Sequence, residues 1–266
     1  MTTSHEALTG WRTWLAARDL SPETIRLRVY QLVRFHEAHT QLLEVTPDDL
    51  ARWLGRPEWS TETRRSQLSA LRSFYGWAQA AGKITTNPAR LLPSIRRTQP
   101  NPRPAPAGLV AQAISAATSR VQLMLRLAVR QGLRRGEIAK VNTETDLIED
   151  LGGWTLIVHG KGRKDRLVPL ADDIAAELIA RPKGWVFPGG VDGHLGADRV
   201  GVLMAQALPG HWTAHSLRHA FATRAWRSCR DLLGLAEVLG HANPETTRRY
   251  IEVLADDLRP IVLAAA

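Results

Sequence analysis

The sequence predicts a mainly α protein built in two parts, a helical N-terminal domain followed by an α+β domain with a small antiparallel sheet. Three observations lead there. Apolar residues recur three and four apart along most of the chain, the spacing of helices with one buried face. Two short runs, 154–159 and 166–169, flank the turn-forming segment Gly160-Lys161-Gly162-Arg163-Lys164-Asp165 and read as a hairpin. In mid-chain, Pro93, Pro100, Pro102, Pro104 and Pro106 favour extended backbone and remove amide donors. The predicted division is therefore a domain at 1–92, a linker at 93–106 bearing Arg96, Arg97 and Arg103, and a domain at 107–266.

In the first part, Leu8, Trp11, Trp14 and Leu15 mark one helix. Ser21-Pro22 and Thr46-Pro47 each supply an N-cap followed by proline at the first helical position, where its missing N–H costs nothing. The helices they open turn Ile25, Val29, Leu32, Val33 and His36, then Leu50, Trp53 and Leu54, inward. Ser60-Thr61 opens a longer helix with Leu68, Leu71, Phe74, Tyr75 and Ala78 inward, ending near Gly82. Its other face carries Arg64, Arg65, Gln67 and Arg72, a strip suited to phosphates and equally to plain solvation. In the second part, 107–130 and 134–141 read as helices broken at Gly132, with further helices at 171–181, 197–207, 215–227, 231–239 and 244–258.

Composition narrows the function classes. The 266 residues are 44% hydrophobic and 23% charged, enough to bury a sizeable core. No run of about 18 apolar residues and no signal-peptide pattern is present, which predicts a cytoplasmic protein with no membrane span. The single cysteine, Cys229, excludes an internal disulfide and a cysteine-cluster metal site. Lys and Arg outnumber Asp and Glu 35 to 26, for a net charge of +9, and all but five of those cations are Arg. Both parts are basic: residues 1–98 hold 14 cations to 9 anions, and 99–266 hold 21 to 17. Arg grips phosphate in a planar fork, so a polyanionic partner fits, although a GC-rich coding bias gives the same composition.

Familiar cofactor signatures are missing. There is no P-loop, no GxGxxG, no HExxH and no close carboxylate cluster, so neither bound ATP, nor a metal, nor another cofactor is expected. Four separated motifs stand out instead. Gly132-Leu133-Arg134-Arg135-Gly136-Glu137-Ile138 puts Arg134 at a helix start, where backbone amides would add to its pull on an anion. His215, Arg218 and His219 share one helical face, a basic triad that repels itself unless an anion joins it. Leu239-Gly240-His241, then Asn243-Pro244, places His241 in a tight connection between helices. Nine residues after His241 stands Tyr250, one of three tyrosines, following Thr246-Thr247-Arg248-Arg249. Taken singly, these read as readily as a surface Arg, an ordinary basic face or a packing tyrosine.

As a set they resemble the tyrosine recombinases, the family of phage integrases. The resemblance runs from 132 to 250 through Gly132-Leu133-Arg134, the Gly160–Leu170 run, His215-Ser216-Leu217-Arg218-His219, Leu239-Gly240-His241 and Tyr250. The first part is similar to that family's core-binding domain through Leu71-Arg72-Ser73-Phe74-Tyr75-Gly76-Trp77-Ala78 and Asn87-Pro88-Ala89. Gln131 departs mildly from the Thr or Ser often found before that glycine. The resemblance implies a SAM-like helical core-binding domain, a catalytic domain, and cleavage and rejoining of DNA through a 3′-phosphotyrosine. Arg134, Lys161, His215, Arg218, His241 and Tyr250 would be catalytic, Glu137 and His219 would support them, and Arg64, Arg65, Arg72 and Arg103 would bind DNA. Double-stranded DNA at attachment sites, and a homotetramer on two synapsed duplexes at the nucleoid, are the implied partners. With core-binding helices expected to begin almost at Met1, the resemblance is to the simple members of the family, and the arm-binding domain of larger integrases is not expected.

Other classes compete. A chromosome-dimer resolving recombinase of the Xer type shares every motif; a type IB topoisomerase or junction-resolving enzyme shares the catalytic group; a non-catalytic DNA-binding regulator shares only the basic helices. The tail adds a separate expectation. Ile251, Val253, Leu254, Leu258, Ile261, Val262 and Leu263 form an amphipathic segment suited to a neighbouring protomer. Its end, Leu263-Ala264-Ala265-Ala266, resembles the ssrA-type degradation tag read by the ClpXP unfoldase, and equally a frayed helix end.

Overall fold

The computed structural model describes residues 3–96, 104–160 and 164–241. Arg103, Lys161, Tyr250, the expected helix 244–258 and the apolar tail lie outside the described residues. The chain divides into two compact units, Met1–Gln99 and Pro100–Ala266.

The first unit holds four helices: α1 (Ser4–Ala17), α2 (Pro22–Ala38), α3 (Pro47–Leu54) and α4 (Thr61–Ala80). Each start is chemically explained. Thr3, Ser21, Thr46 and Ser60 accept backbone N–H bonds from Glu6, Thr24, Asp49 and Thr63, which satisfies donors the first turn leaves without partners. The four helices bury Trp11, Leu15, Leu32, Phe35, Leu50, Leu71, Phe74 and Tyr75 together. Trp11 meets Phe74 edge to face at 5.5 Å, and the buried Tyr75 hydroxyl donates to the Leu42 carbonyl at 3.1 Å. Two expectations change. Val33 is exposed and Phe35 takes the inward position on α2. Gln67 is buried, accepting from Trp53 Nε1 at 3.3 Å, and so leaves the outward strip of α4.

The second unit is α+β. Its helices are α5 (Ala107–Ala116), α6 (Ser119–Gln131), α7 (Arg135–Ile138), α8 (Asp172–Ile179), α9 (Ala197–Ala207), α10 (Ala214–Cys229) and α11 (Leu232–Leu239). Strands β1 (Leu147–Asp150), β2 (Gly153–His159) and β3 (Asp165–Pro169) form one antiparallel sheet in that order, and β4 (Pro188–Val191) stands apart. The β2–β3 register pairs His159 with Asp165 and Thr155 with Pro169. Helix α6 buries Leu123, Met124, Leu125, Leu127 and Ala128 fully, keeps Gln122, Arg126 and Arg130 on its polar face, and forms the axis on which α10, α9 and α5 pack.

Three further expectations are corrected. The helix expected at 107–130 is two helices, because Ala117 turns extended (φ −81°, ψ 161°) and Thr118 starts the chain afresh. The helix expected at 134–141 is the single turn α7. The sheet has a third strand, β1, on the hairpin's outer side. Ala105 belongs to this unit's core, and its N–H donates to the Ser216 carbonyl at 3.2 Å. Among the described residues, no helix is long and apolar enough to cross a membrane.

Candidate active site

The site forms where the C-terminal ends of α6 and α11 meet the start of α7 and the first two turns of α10. Gly132 ends α6 in the left-handed conformation (φ 67°), and an added Cβ would sit 2.6 Å from the Phe221 ring. Gly240 ends α11 likewise (φ 60°), with Arg166 filling the space where a Cβ would be. These two positions require glycine on both counts. Helix C-termini present unpaired carbonyls and the negative end of the peptide dipoles, so they hold cations.

Arginines occupy those ends. Arg218, only 1% exposed, donates to the carbonyls of Gly132 and Leu239 and lies 3.1 Å from His241 Nε2. Arg134 donates to the Gly240 carbonyl at 3.2 Å and to Glu137 Oε1 at 2.6 Å, and is the most exposed of the three at 40%. Arg166 is buried; its Nε donates to the Val238 carbonyl at 2.7 Å and its two terminal nitrogens to both Glu137 oxygens at 2.9 Å. Glu137 also accepts from the Arg134 backbone N–H at 2.8 Å. That amide, expected to face an anion, is thus already taken by the capping carboxylate.

Glu137 is the centre of this cluster. Burial alone would push its carboxyl up, but hydrogen bonds and charge from Arg166 and Arg134 hold it down at about 2. Arg218 stands 3.8 Å away. Three guanidiniums therefore surround one carboxylate, and the pocket keeps a positive surplus in a partly desolvated place. The nearby imidazoles respond to that surplus. His241 falls to about 3 through burial and the Arg218, Arg134 and Arg166 charges, and His219 to about 4 through burial, His215 and Arg218. His215 is lowered by burial, Arg218 and Arg134, and its ring meets His219 edge to face at 4.5 Å. All three are neutral at pH 7 in this state, so each ring presents one donor and one acceptor.

The structure brings Arg134, His215, Arg218 and His241 together, with Glu137 beneath them and His219 beside His215. Arg166 was absent from the expected site residues. Its signal was present, since Arg166 lies within the Gly160–Leu170 run, but an Arg in a strand reads as surface until Glu137 is seen beneath it. Arg64, Arg65 and Arg72 belong to the first unit, on α4. Arg64 donates to the Arg56 carbonyl at 3.0 Å, Arg65 pairs with Glu62 at 3.0 Å, and Arg72 donates to the Leu92 carbonyl at 2.5 Å. Among the described residues, no three His, Cys, Asp or Glu side chains gather as a metal site. What the pocket can do is hold a tetrahedral oxyanion and stabilise the charge that builds on it during substitution at phosphorus.

Comparison with known proteins points the same way. Residues 109–256 match the phage integrase family, and residues 9–82 match the phage integrase N-terminal SAM-like domain. The tyrosine recombinase XerD of Caulobacter vibrioides is 32% identical over 254 residues, covering 85% of this chain and 81% of that protein. The tyrosine recombinase XerC of Xanthomonas campestris is 31% identical over 223 residues, covering 77% and 68%. In fold, the chain is similar to a lambda integrase dimer bound to a COC′ core site, at a TM-score of 0.75 and 19% identity over 95% of this chain and 96% of that one. It is also similar to the XerH site-specific recombinase bound to palindromic difH substrate, at 0.72 and 19% over 92% and 81%.

Proposed function

From the premise that the chain belongs to the phage integrase family of tyrosine recombinases, we propose that this enzyme integrates or excises a phage or mobile element by site-specific recombination. Its DNA chemistry is the family's, cleavage and rejoining; the assignment of each residue is inferred from the cluster around Glu137. Three guanidiniums about one carboxylate is the observation that carries it, because such a surplus is costly to bury unless an anion completes it. A phosphodiester supplies that anion.

In this reading Arg134 and Arg218 hold the nonbridging oxygens, and His215 and His241 donate further hydrogen bonds to them. The Tyr250 hydroxyl gives up its proton to water as its oxygen attacks phosphorus; the bond to the 5′ oxygen breaks, and Lys161 gives that oxygen a proton. The product is a 3′-phosphotyrosine and a 5′-hydroxyl. A 5′-hydroxyl from a second duplex reverses the step and completes strand exchange. The phosphotyrosine keeps the bond energy, so no ATP is required. Glu137 and Arg166 keep Arg134 and Arg218 in place, and His219 buttresses His215.

Double-stranded DNA is the partner, bound by both basic units, with Arg64, Arg65, Arg72 and Arg103 on its backbone. Four protomers on two duplexes, in the cytoplasm at the nucleoid, make the working assembly. The tail after Tyr250 reaches a neighbouring protomer, and its final alanines offer a ClpXP signal when no neighbour covers them. Changing Ala265 and Ala266 to Asp should then lengthen the protein's half-life in cells that contain ClpXP.

The test is covalent trapping. A nicked duplex carrying the core site that the protein selects from a random pool should yield a protein–DNA adduct, unaffected by EDTA. Tyr250→Phe should bind that duplex and give none; an adduct with this variant puts the nucleophile elsewhere. Similarity to XerD and XerC favours a second reading, resolution of chromosome dimers. A selected site that maps to the replication terminus would decide for it, and one flanking a mobile element would decide against it.

A further inference from the structure

The turn end of the β2–β3 hairpin carries a titratable group that the mechanism above does not use. His159 is the last residue of β2 and pairs across the ladder with Asp165, the first of β3. Just beyond, the Gly160 N–H donates to the Lys164 carbonyl at 3.0 Å, the last bond before residues 161–163, which lie outside the described residues. The His159 ring sits between two carboxylates. Nδ1 is 3.0 Å from Asp165 Oδ1, and Nε2 is 3.2 Å from Asp146 Oδ1.

The two carboxylates belong to different parts of the unit. Asp165 is exposed on the hairpin. Asp146 is buried in the segment after α7, where its oxygens also accept from the Thr145 hydroxyl at 2.6 Å and the Asn142 N–H at 2.9 Å. His159 thus ties the hairpin end to the segment that follows the Glu137 turn. Glu137 and Lys140 line the same crevice from the α7 side, and Lys164 adjoins Asp165 in the chain.

An ionised carboxylate only accepts, and a neutral imidazole donates from one nitrogen only. Both contacts at once require the imidazolium. Burial pulls the ring's pKa down, yet the bonds and charges of Asp165 and Asp146 outweigh it and leave it above the ordinary 6.5. The bridge is therefore complete below about pH 6.5 and gives up one carboxylate as pH rises through the raised value.

We propose that His159 is a positioning residue: as an imidazolium held between Asp146 and Asp165, it fixes the hairpin end from which Lys161 works, and its protonation sets the pH range of the acid-assisted step. This rests on the reading of Lys161 as the acid. The ring touches no reacting atom; it acts through the strand ends.

Two measurements test it on the full chain. The first needs no DNA: the His159 ring signal in a ¹³C–¹H spectrum, assigned by its absence from His159→Asn, should titrate above pH 6.5 and shift down in Asp165→Asn. A midpoint at or below 6.5 overturns the bridge. The second compares cleavage of the selected nicked duplex with an oxygen or a sulfur at the bridging 5′ position, across pH. Sulfur leaves without needing a proton. On oxygen, His159→Asn should cleave about 10-fold more slowly, short of the ~10²- to 10⁴-fold that an acid contributes, and lose the alkaline fall centred above 6.5. On sulfur it should match the unsubstituted protein. Equal slowing on both substrates makes His159 a fold residue only and overturns the proposal. Lys161→Ala separates the two ideas. If sulfur fails to rescue it, Lys161 is not the acid and the coupling falls with it; if sulfur rescues it while His159→Asn cleaves normally, the role of His159 alone fails.

Discussion

Arg65 in the first unit and Arg166 in the second each bond both oxygens of a glutamate, Glu62 and Glu137, at 2.9–3.0 Å. The two pairs otherwise share little. The Arg65 and Glu62 side chains are 33% and 63% exposed, whereas Arg166 and Glu137 are 5% each. Water screens the first pair and lets either member be lost cheaply. The second pair has no water to fall back on, and Glu137 serves Arg134 and Arg166 while standing near Arg218. The same chemistry is surface decoration in one unit and the keystone of a charged pocket in the other. Burial decides which.

Removing the keystone should give the largest effect. Glu137→Gln leaves three guanidiniums facing one another without a counter-ion, and breaking a buried pair in this way costs about 3–5 kcal/mol. Urea denaturation of the second unit should show that loss, and added sulfate should restore more stability to this variant than to the unsubstituted protein. A loss under about 1 kcal/mol would make the Arg166 pair equivalent to the Arg65 pair.

Next comes geometry at constant charge. Arg218→Lys keeps the cation but not the planar fork that spans the Gly132 and Leu239 carbonyls. Cleavage of the selected nicked duplex should fall by about 10²- to 10³-fold, as when one oxyanion donor is removed. Cleavage within a few-fold of normal would mean that a point charge suffices.

The local parts of this architecture were legible in the sequence, and the reason is chemical. Ser21-Pro22, Thr46-Pro47 and Ser60 cap helices within three residues, so the signal and its partner sit side by side. Gly132 and Gly240 were legible as helix ends for the same reason. What escaped was set at a distance. The break at Ala117 has no Gly or Pro to announce it. Strand β1 holds Glu149 and Asp150 and is largely exposed, so no alternation marked it. Arg166 is buried by a glutamate 29 residues earlier in the chain. The site's outline followed from motif spacing; the ion pair that holds it together did not.

A smaller effect concerns pH. His241, at about 3, and Glu137, at about 2, both sit below their ordinary values. For His241 the folded state binds fewer protons than the unfolded chain, so its effect is absent above about 6.5 and destabilising as pH falls towards 3. For Glu137, stability is full above about 4.5 and is lost as pH falls through 2. The second unit should therefore lose stability progressively below pH 6.5, measured by thermal melting. Replacing His241 with Asn should flatten the upper part of that slope. The first unit lacks a buried pair of this kind among its described residues, so its stability should not share that slope.

The smallest effect should come from the exposed pair itself. Arg65→Ala removes a cation that Glu62 already half-neutralises, so stability should change by no more than about 0.5 kcal/mol. Its role, if it meets DNA, is to displace counterions from the backbone. The slope of log binding constant against log salt should then drop by about 1, equally for the selected site and for random duplex. Glu62→Ala should move the same slope the other way, because it frees Arg65 and removes a repelling carboxylate. A change confined to the selected site would instead mean that Arg65 reads a base edge. No change in either variant would leave the strip on α4 as a solvated face, and the two arginine–glutamate pairs would then differ in function as sharply as they do in burial.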